Sequence, residues 1–278
     1  MEETKADFFV RFWGVRGSIA CPGPEYARYG GNTACLEVRC GANLLIFDGG
    51  TGMRELGEAL ADQGPLDADM FFTHTHIDHI NGVPFFKPIF DPANRLTISS
   101  GHLNGGHTIH EVLDKLMAAP IFPVPIDVFA ARIEFSDFAC GAVLEPRPGI
   151  TVRTAKLNHP NEATGYRVEH GGKSICYVTD TEHNPGTLDA NILDLIEGAD
   201  IFIYDATYTD DEYPGYKGWG HSTWQEGIRL ADKAKVGTYV IFHHDPSHKD
   251  DFMDQVAEEA ERARPGTKVA REGMVLTP

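Results

Sequence analysis

The stretch Thr73-His74-Thr75-His76-Ile77-Asp78-His79 constrains this chain more than any other, because it sets three imidazoles and a carboxylate within six residues. It continues directly from Met70-Phe71-Phe72-Thr73, an apolar run that reads as a buried strand, so these side chains stand at a strand end. Neutral imidazoles and carboxylates suit zinc, and also iron or manganese. His74 and His76 share parity and can grip one ion, while Asp78 and His79, a turn further on, can reach a second. A histidine-rich solvated loop is the plain alternative. One histidine would fit it; four ligand-type residues in this order do not.

The surrounding pattern is that of a mixed α/β chain. Phe8–Gly14 reads as a strand, and Leu36–Cys40 with Leu44–Asp48 as a hairpin about Gly41-Ala42-Asn43. Met53–Asp62 has helical spacing. Between Asp91 and Pro148 the signal weakens: Thr108–Ala118 is predicted helical, and the proline-rich 119–125 segment is a loop that flanks the site or merely connects. Whether residues 100–148 form a lid is left open. Strands are predicted at Thr151–Leu157, Thr164–Glu169, Ser174–Thr179, Ile201–Asp205, Tyr239–Phe242 and Lys268–Leu276. Helices are predicted at Leu188–Glu197, from Thr223 with a capping box to Glu226, and at Asp250–Arg264. Strands come first as hairpins and later alternate with helices, which suits a four-layer α/β/β/α sandwich, and no linker composition divides residues 1–278 into more than one domain.

The motif His74-Thr75-His76-Ile77-Asp78-His79 resembles the HxHxDH hallmark of the metallo-β-lactamase superfamily, and the family's other motifs recur in order over nearly the whole chain. The resemblance implies His74, His76 and His159 on one metal, Asp78, His79 and His243 on the other, and Asp180 shared between them. It implies two divalent ions, zinc first and manganese or iron next. Asp48 in Phe47-Asp48-Gly49 matches the family's structural aspartate, which supports the ligand loop without touching metal. His244 is the alternative to His243, and strand register favours His243, with the other facing away. Two ions about 3.5–4 Å apart can share a hydroxide that attacks a substrate, a reaction in which Asp78 counts among the catalytic residues.

Gly220-His221-Ser222-Thr223, ahead of a helix, is similar to a motif of the ribonuclease Z-like branch, in which the histidine assists phosphodiester cleavage. Ser222 and Thr223 are read as helix caps. Asp205 occupies the acidic position that orients this histidine, so His221 and Asp205 join the candidate catalytic set. His159 and Asp180 are only 21 residues apart, with no room for the branch's tRNA-gripping arm. The arm-less phosphodiesterases, acting on small or cyclic nucleotide-type diesters, therefore fit better. A thioester, lactone or lactam hydrolase on the same fold is the first rival, and a non-hydrolytic di-iron redox protein the second.

A net charge of −17 disfavours extended nucleic-acid binding, since no basic cluster offsets it. No apolar run spans a bilayer and the acidic N-terminus lacks a signal-peptide layout, so a cytoplasmic location without membrane contact is expected. Relatives in the branch are often homodimers, and the resemblance carries that expectation here. Arg16 and Asn32 sit in glycine-bearing loops, where Arg16 either contacts a phosphate or is an exposed turn residue. Tyr213, Tyr216, Lys217 and Trp219 precede His221 and could wall a base. The five cysteines read as reduced thiols; an accessory zinc on Cys21, Cys35 and Cys40 is disfavoured, because Cys35 and Cys40 would point to opposite faces of one strand.

Overall fold

The computed structural model describes residues 7–61, 63–103 and 106–278. The acidic residues 1–6 and the last predicted residue of the first helix, Asp62, lie outside them.

Two seven-stranded sheets carry the chain. The first comprises β1 (Phe8–Gly14), β2 (Cys35–Cys40), β3 (Asn43–Phe47), β4 (Asp67–Phe72), β5 (Arg95–Ser100), β6 (Arg132–Asp137) and β14 (Val275–Leu276), in the order β14-β1-β2-β3-β4-β5-β6. The second comprises β7 (Val143–Arg147), β8 (Ile150–Leu157), β9 (Ala163–His170), β10 (Lys173–Val178), β11 (Ile201–Asp205), β12 (Thr238–Phe242) and β13 (Lys268–Val269), in the order β13-β12-β11-β10-β9-β8-β7. The helices are α1 (Gly52–Leu60), α2 (Ile77–Ile80), α3 (Ile109–Leu116), α4 (Ala190–Ile196), α5 (Tyr213–Tyr216), α6 (Trp224–Lys233) and α7 (Asp250–Ala263).

Side-chain alternation builds three cores from these layers. Along β3 and β4, Leu45, Phe47 and Phe71 face the second sheet, where they meet Tyr166, Tyr177 and Phe242. Leu44, Ile46, Met70 and Phe72 point the other way, against Met53, Leu56 and Leu60 of α1 and Ile109 and Leu113 of α3. On the far side, Val178, Phe202, Tyr204 and Ile241 pack under Ile192, Leu195, Leu230 and Met253 of α4, α6 and α7. The result is the expected α/β/β/α sandwich. Cys35 falls in the outer core of the first sheet and Cys40 in the inter-sheet core, so the disfavoured three-cysteine zinc site does not assemble.

Topology puts the chemistry at one edge. Strands β3 and β4 are parallel, as are β10, β11 and β12, and β8 is antiparallel to β9, which is antiparallel to β10. The C-terminal ends of each parallel set therefore open on the same edge of its sheet, where ligands bind in open α/β sheets.

Three elements differ from the sequence expectation. Strands β5, β6 and β7 occupy the stretch of weak signal: β6 is a half-exposed edge strand, and β7 contains Pro146, which an edge tolerates. The predicted final strand divides about Gly273 (φ 78°), one part pairing with β12 and the other with β1. The capping box at Thr223 is half formed: Thr223 accepts from the Glu226 N–H, but the Glu226 carboxylate takes Arg229 instead. The proline-rich loop leans on the turn after α2, with Phe122 edge-on to Phe85 at 5.9 Å.

Phe47 joins the sheets, with ring centroids 5.4 Å from Phe71, 5.2 Å from Tyr166 and 6.2 Å from Tyr177. Phe47→Ala is expected to destabilise the fold by about 3–5 kcal/mol through the cavity it leaves, read as a lower urea midpoint at unchanged slope. A loss under about 1 kcal/mol would show that this contact does not hold the two sheets together.

Candidate metal centre

Each candidate residue except His221, which lies between α5 and α6, emerges at or just after a strand end. Thr73–His79 follows β4, His159 follows β8, Asp180 follows β10, Asp205 ends β11 and His243 follows β12. Asp48, Asp180 and His243 take left-handed backbone angles, with φ of 59°, 56° and 64°. Such conformations cost on the order of 1–3 kcal/mol each for a non-glycine residue and persist where the surroundings over-determine them. Here they turn the side chain off the sheet axis.

The side chains form two groups that meet at Asp180. In the first, His76 Nδ1 and His159 Nε2 are 3.0 Å apart, and Asp180 Oδ1 lies 3.7 Å from His74 Nε2 and 3.8 Å from His159 Nε2. In the second, His79 Nε2 is 3.3 Å from His243 Nε2 and 3.2 Å from Asp78 Oδ2, and Asp180 Oδ2 lies 3.2 Å from His79 Nε2 and 3.3 Å from His243 Nε2. One carboxylate oxygen thus faces each group.

Hydrogen bonds at the far ring nitrogens set the tautomers, as is usual for metal-ligating histidines. His79 donates from Nδ1 to Asp48 Oδ2 at 2.9 Å. His74 donates from Nδ1 to Thr73 Oγ1 at 3.1 Å, and that hydroxyl donates in turn to Asp48. His159 donates from Nδ1 to the Gly220 carbonyl at 2.7 Å. His243 donates from Nδ1 to Thr207 Oγ1 at 3.0 Å, and the Thr207 hydroxyl donates to Asp205 Oδ1 at 2.8 Å.

This network provides the fit test for a metal. With Nδ1 of His79 and His243 both donating, their Nε2 atoms converge 3.3 Å apart beside the Asp78 and Asp180 carboxylates, a donor set that a cation can share. The buried His74 Nε2 has no hydrogen-bond partner among the described residues. Electrostatics agree. Burial opposes charge on His79, but Asp180, Asp78 and Asp48 outweigh it and raise its pKa well above the ordinary value, a mark of a negative pocket. Burial and the neighbouring His79 hold His74 neutral, the form that ligates. Burial would raise the Asp180 pKa, but His243, His79 and His74 bring it well below the carboxylate range. The donor set fits two divalent ions.

The structure also places the residues around this core. His221 donates from Nδ1 to Asp205 Oδ2 at 3.0 Å and stacks on His243 at 5.0 Å between centroids. Burial lowers the His221 pKa, yet the Asp205 charge and hydrogen bond, with Asp180 and Asp78 behind, lift it to about 9. Asp205 is fully buried and also accepts from the Thr181 and Thr207 N–H groups. His244 turns away and donates to the Ala270 carbonyl at 2.8 Å.

Arg16 corrects both sequence readings. It is fully buried, and its guanidinium is bound to the carbonyls of Gly30, Asp245 and His248, so it is neither exposed nor able to meet a phosphate. Its loop acts through its neighbours: the Ser18 N–H donates to Asp78 Oδ2 at 2.8 Å, and Gly17 lies so close to His243 that a Cβ would sit 2.3 Å from the ring. Asn32 binds Glu272. Tyr213 is buried, with its hydroxyl on the His183 carbonyl, and forms no wall, whereas Tyr216, Lys217 and Trp219 are exposed. Sequence reasoning missed Thr73, Tyr177, Thr207 and Glu182. Thr73 adjoins His74, a usable signal; Tyr177, Thr207 and Glu182 have none.

The Beta-lactamase superfamily domain matches residues 43–244, and the chain belongs to that superfamily; its ribonuclease Z relatives support the ribonuclease Z-like branch. It is a metal-dependent hydrolase of that superfamily. Ribonuclease Z of Haloarcula marismortui is 24% identical, with 95% of each chain covered. Ribonuclease Z of a Bradyrhizobium species is 25% identical over 97% of this chain and 99% of its own. Among solved structures, the metallo-β-lactamase fold protein YhfI from Bacillus subtilis superposes with a TM-score of 0.72 at 18% identity, covering 98% of this chain and 99% of that one. A diphosphatase from the PhnP family has a TM-score of 0.72 at 20% identity and 98% coverage of both chains. Among the described residues no helix is long and apolar enough to cross a membrane.

Asp48→Asn preserves shape but presents an amide to four donors. It is expected to weaken metal binding about 10–100-fold, measured by titrating zinc into metal-stripped protein. Unchanged affinity would show that Asp48 does not orient the ligands.

Proposed function

We propose that this hydrolase is a phosphodiesterase acting on small or cyclic nucleotide-type diesters, with His74, His76 and His159 holding one divalent ion, Asp78, His79 and His243 the other, and Asp180 bridging. The observation that carries the reading is the His221–Asp205 pair. A thioester hydrolase expels a thiolate that leaves unaided, whereas an alkoxide departing from phosphorus needs a proton donor or a positive charge.

Bound divalent ions would supply Lewis acidity towards the phosphoryl oxygens and a water-derived nucleophile at neutral pH. The chain's own residues do the rest. Asp205 fixes the Nδ1–H tautomer of His221, leaving Nε2 as the atom that can meet substrate, and its charge favours the imidazolium. The stack on His243 limits the ring's rotation. Nε2–H of His221 then donates to the leaving oxygen as the phosphorus–oxygen bond breaks.

Two features support a small substrate over tRNA. The segment between His159 and Asp180 is filled by β9 and β10, joined by the tight turn Gly171-Gly172, with no projecting arm. The net charge of −17 repels an extended phosphate backbone. The names of the ribonuclease Z and diphosphatase relatives are in keeping with phosphoryl-ester chemistry.

The test is turnover of bis(p-nitrophenyl) phosphate and of 2′,3′- and 3′,5′-cyclic nucleotides by metal-loaded protein. His221→Ala is expected to lower kcat about 10²–10⁴-fold with metal content retained. Turnover of thioesters or lactones indifferent to His221, without diester cleavage, would overturn the reading.

A further inference from the structure

Beside His221 stands a series of aromatic rings that this chemistry does not use. Tyr208 lies edge-on to the His221 ring at 6.1 Å, Tyr216 stacks on Tyr208 at 4.3 Å and 11°, and Trp219 stands edge-on to Tyr216 at 5.4 Å. The series runs outward: Tyr208 is buried, Tyr216 is 38% exposed and Trp219 63% exposed. Trp219 is thus the outermost and most open ring of the series.

The backbone that carries the indole is also held in place. Glu182, two residues beyond Asp180, accepts from the N–H groups of Gly218 at 2.9 Å and Gly220 at 2.8 Å, the residues on either side of Trp219. The Trp219 N–H closes on the Tyr216 carbonyl at 3.1 Å. Glu182 is itself tied to the loop before His159, its N–H donating to the Asn158 carbonyl and Asn158 Nδ2 donating to the Glu182 carbonyl, both at 2.8 Å. Gly220 cannot be replaced without disturbing this buckle, since a Cβ there would sit 2.5 Å from His159 Nδ1. The indole's backbone is therefore built into the loops that carry His159, Asp180 and His221. Across the centre, Ile19 follows Ser18 and Ile77 lies between His76 and Asp78, and both are more than half exposed.

We propose that Trp219, backed by Tyr216 and positioned by Glu182, is the stacking platform for a single planar heterocycle, a nucleobase, carried by the diester. The proposal rests on the phosphodiesterase reading and names its substrate class. Base–aromatic stacking tolerates any base, because each has a π face, so the platform selects nucleotide-type diesters over aliphatic ones without reading sequence. The strongly acidic chain offers no basic track for further phosphates, which limits the platform to one base.

The test compares thymidine 5′-(p-nitrophenyl phosphate) with the same ester lacking the base, on the metal-loaded protein. The wild type is expected to favour the base-bearing ester in kcat/KM, and Trp219→Ala to reduce that ratio about tenfold, with Trp219→Phe restoring most of it. A wild-type ratio near one, or a ratio unmoved by Trp219→Ala, overturns the platform while leaving the phosphodiesterase reading intact. If neither ester is cleaved, that reading fails, and calorimetric binding of thymidine 5′-monophosphate against deoxyribose 5-phosphate decides the platform separately. Tighter binding of the nucleotide, lost in Trp219→Ala, supports it; equal binding overturns it.

Discussion

Asp48 has almost no contact with water, and both of its oxygens are saturated by protein donors. Oδ1 accepts from the Thr73 N–H and hydroxyl, at 2.8 and 3.0 Å, and Oδ2 accepts from His79 Nδ1 at 2.9 Å and the Tyr177 hydroxyl at 2.8 Å. Because Thr73 also receives His74 Nδ1–H, this one carboxylate orients an imidazole in each half of the metal centre. Tyr177 belongs to the other sheet, so the same group ties the ligand loop across the core. A buried charge is tolerated only when so fully bonded, and removing any donor leaves the rest to bear its desolvation.

The second sheet repeats the device with Asp205. It directs His221 by a direct bond and His243 through Thr207. Two buried acids, one at a strand end of each sheet, thus aim imidazoles into the gap where Asp180 presents an oxygen to either side. Precision at the site follows from strands, whose ends are fixed by their ladders, and from loops bound back to those ends. The Arg16 loop supplies the last wall, with Ser18 on Asp78 and Gly17 against His243.

Much of this was legible in the sequence. Ligand-type residues recur after apolar runs that could only be strands, and the order of motifs carried the fold and each candidate of the metal set. The resemblance and strand register both favoured His243 over His244, and a left-handed turn after β12 brings His243 to the cluster. What stayed hidden depended on contacts between distant segments. Nothing local marks Glu182 as the buckle of the Gly218–Gly220 turn, or Tyr177 as a partner of Asp48. Arg16 looked like a surface residue because glycines flank its loop, but its charge is absorbed by carbonyls from residues 30, 245 and 248, far away in the chain. The edge strands β6 and β7 escaped notice although Arg132-Ile133-Glu134-Phe135 alternates, because they are short and Pro146 within β7 argues against a strand.

Asp180, with one oxygen facing each histidine group, is the proposed shared ligand of a paired centre. Anomalous diffraction from crystals soaked in zinc would test this most directly. Two peaks about 3.5–4 Å apart are expected, one against His74, His76 and His159 and the other against Asp78, His79 and His243, with an Asp180 oxygen on each. A single peak, or a second one away from Asp180, would contradict it.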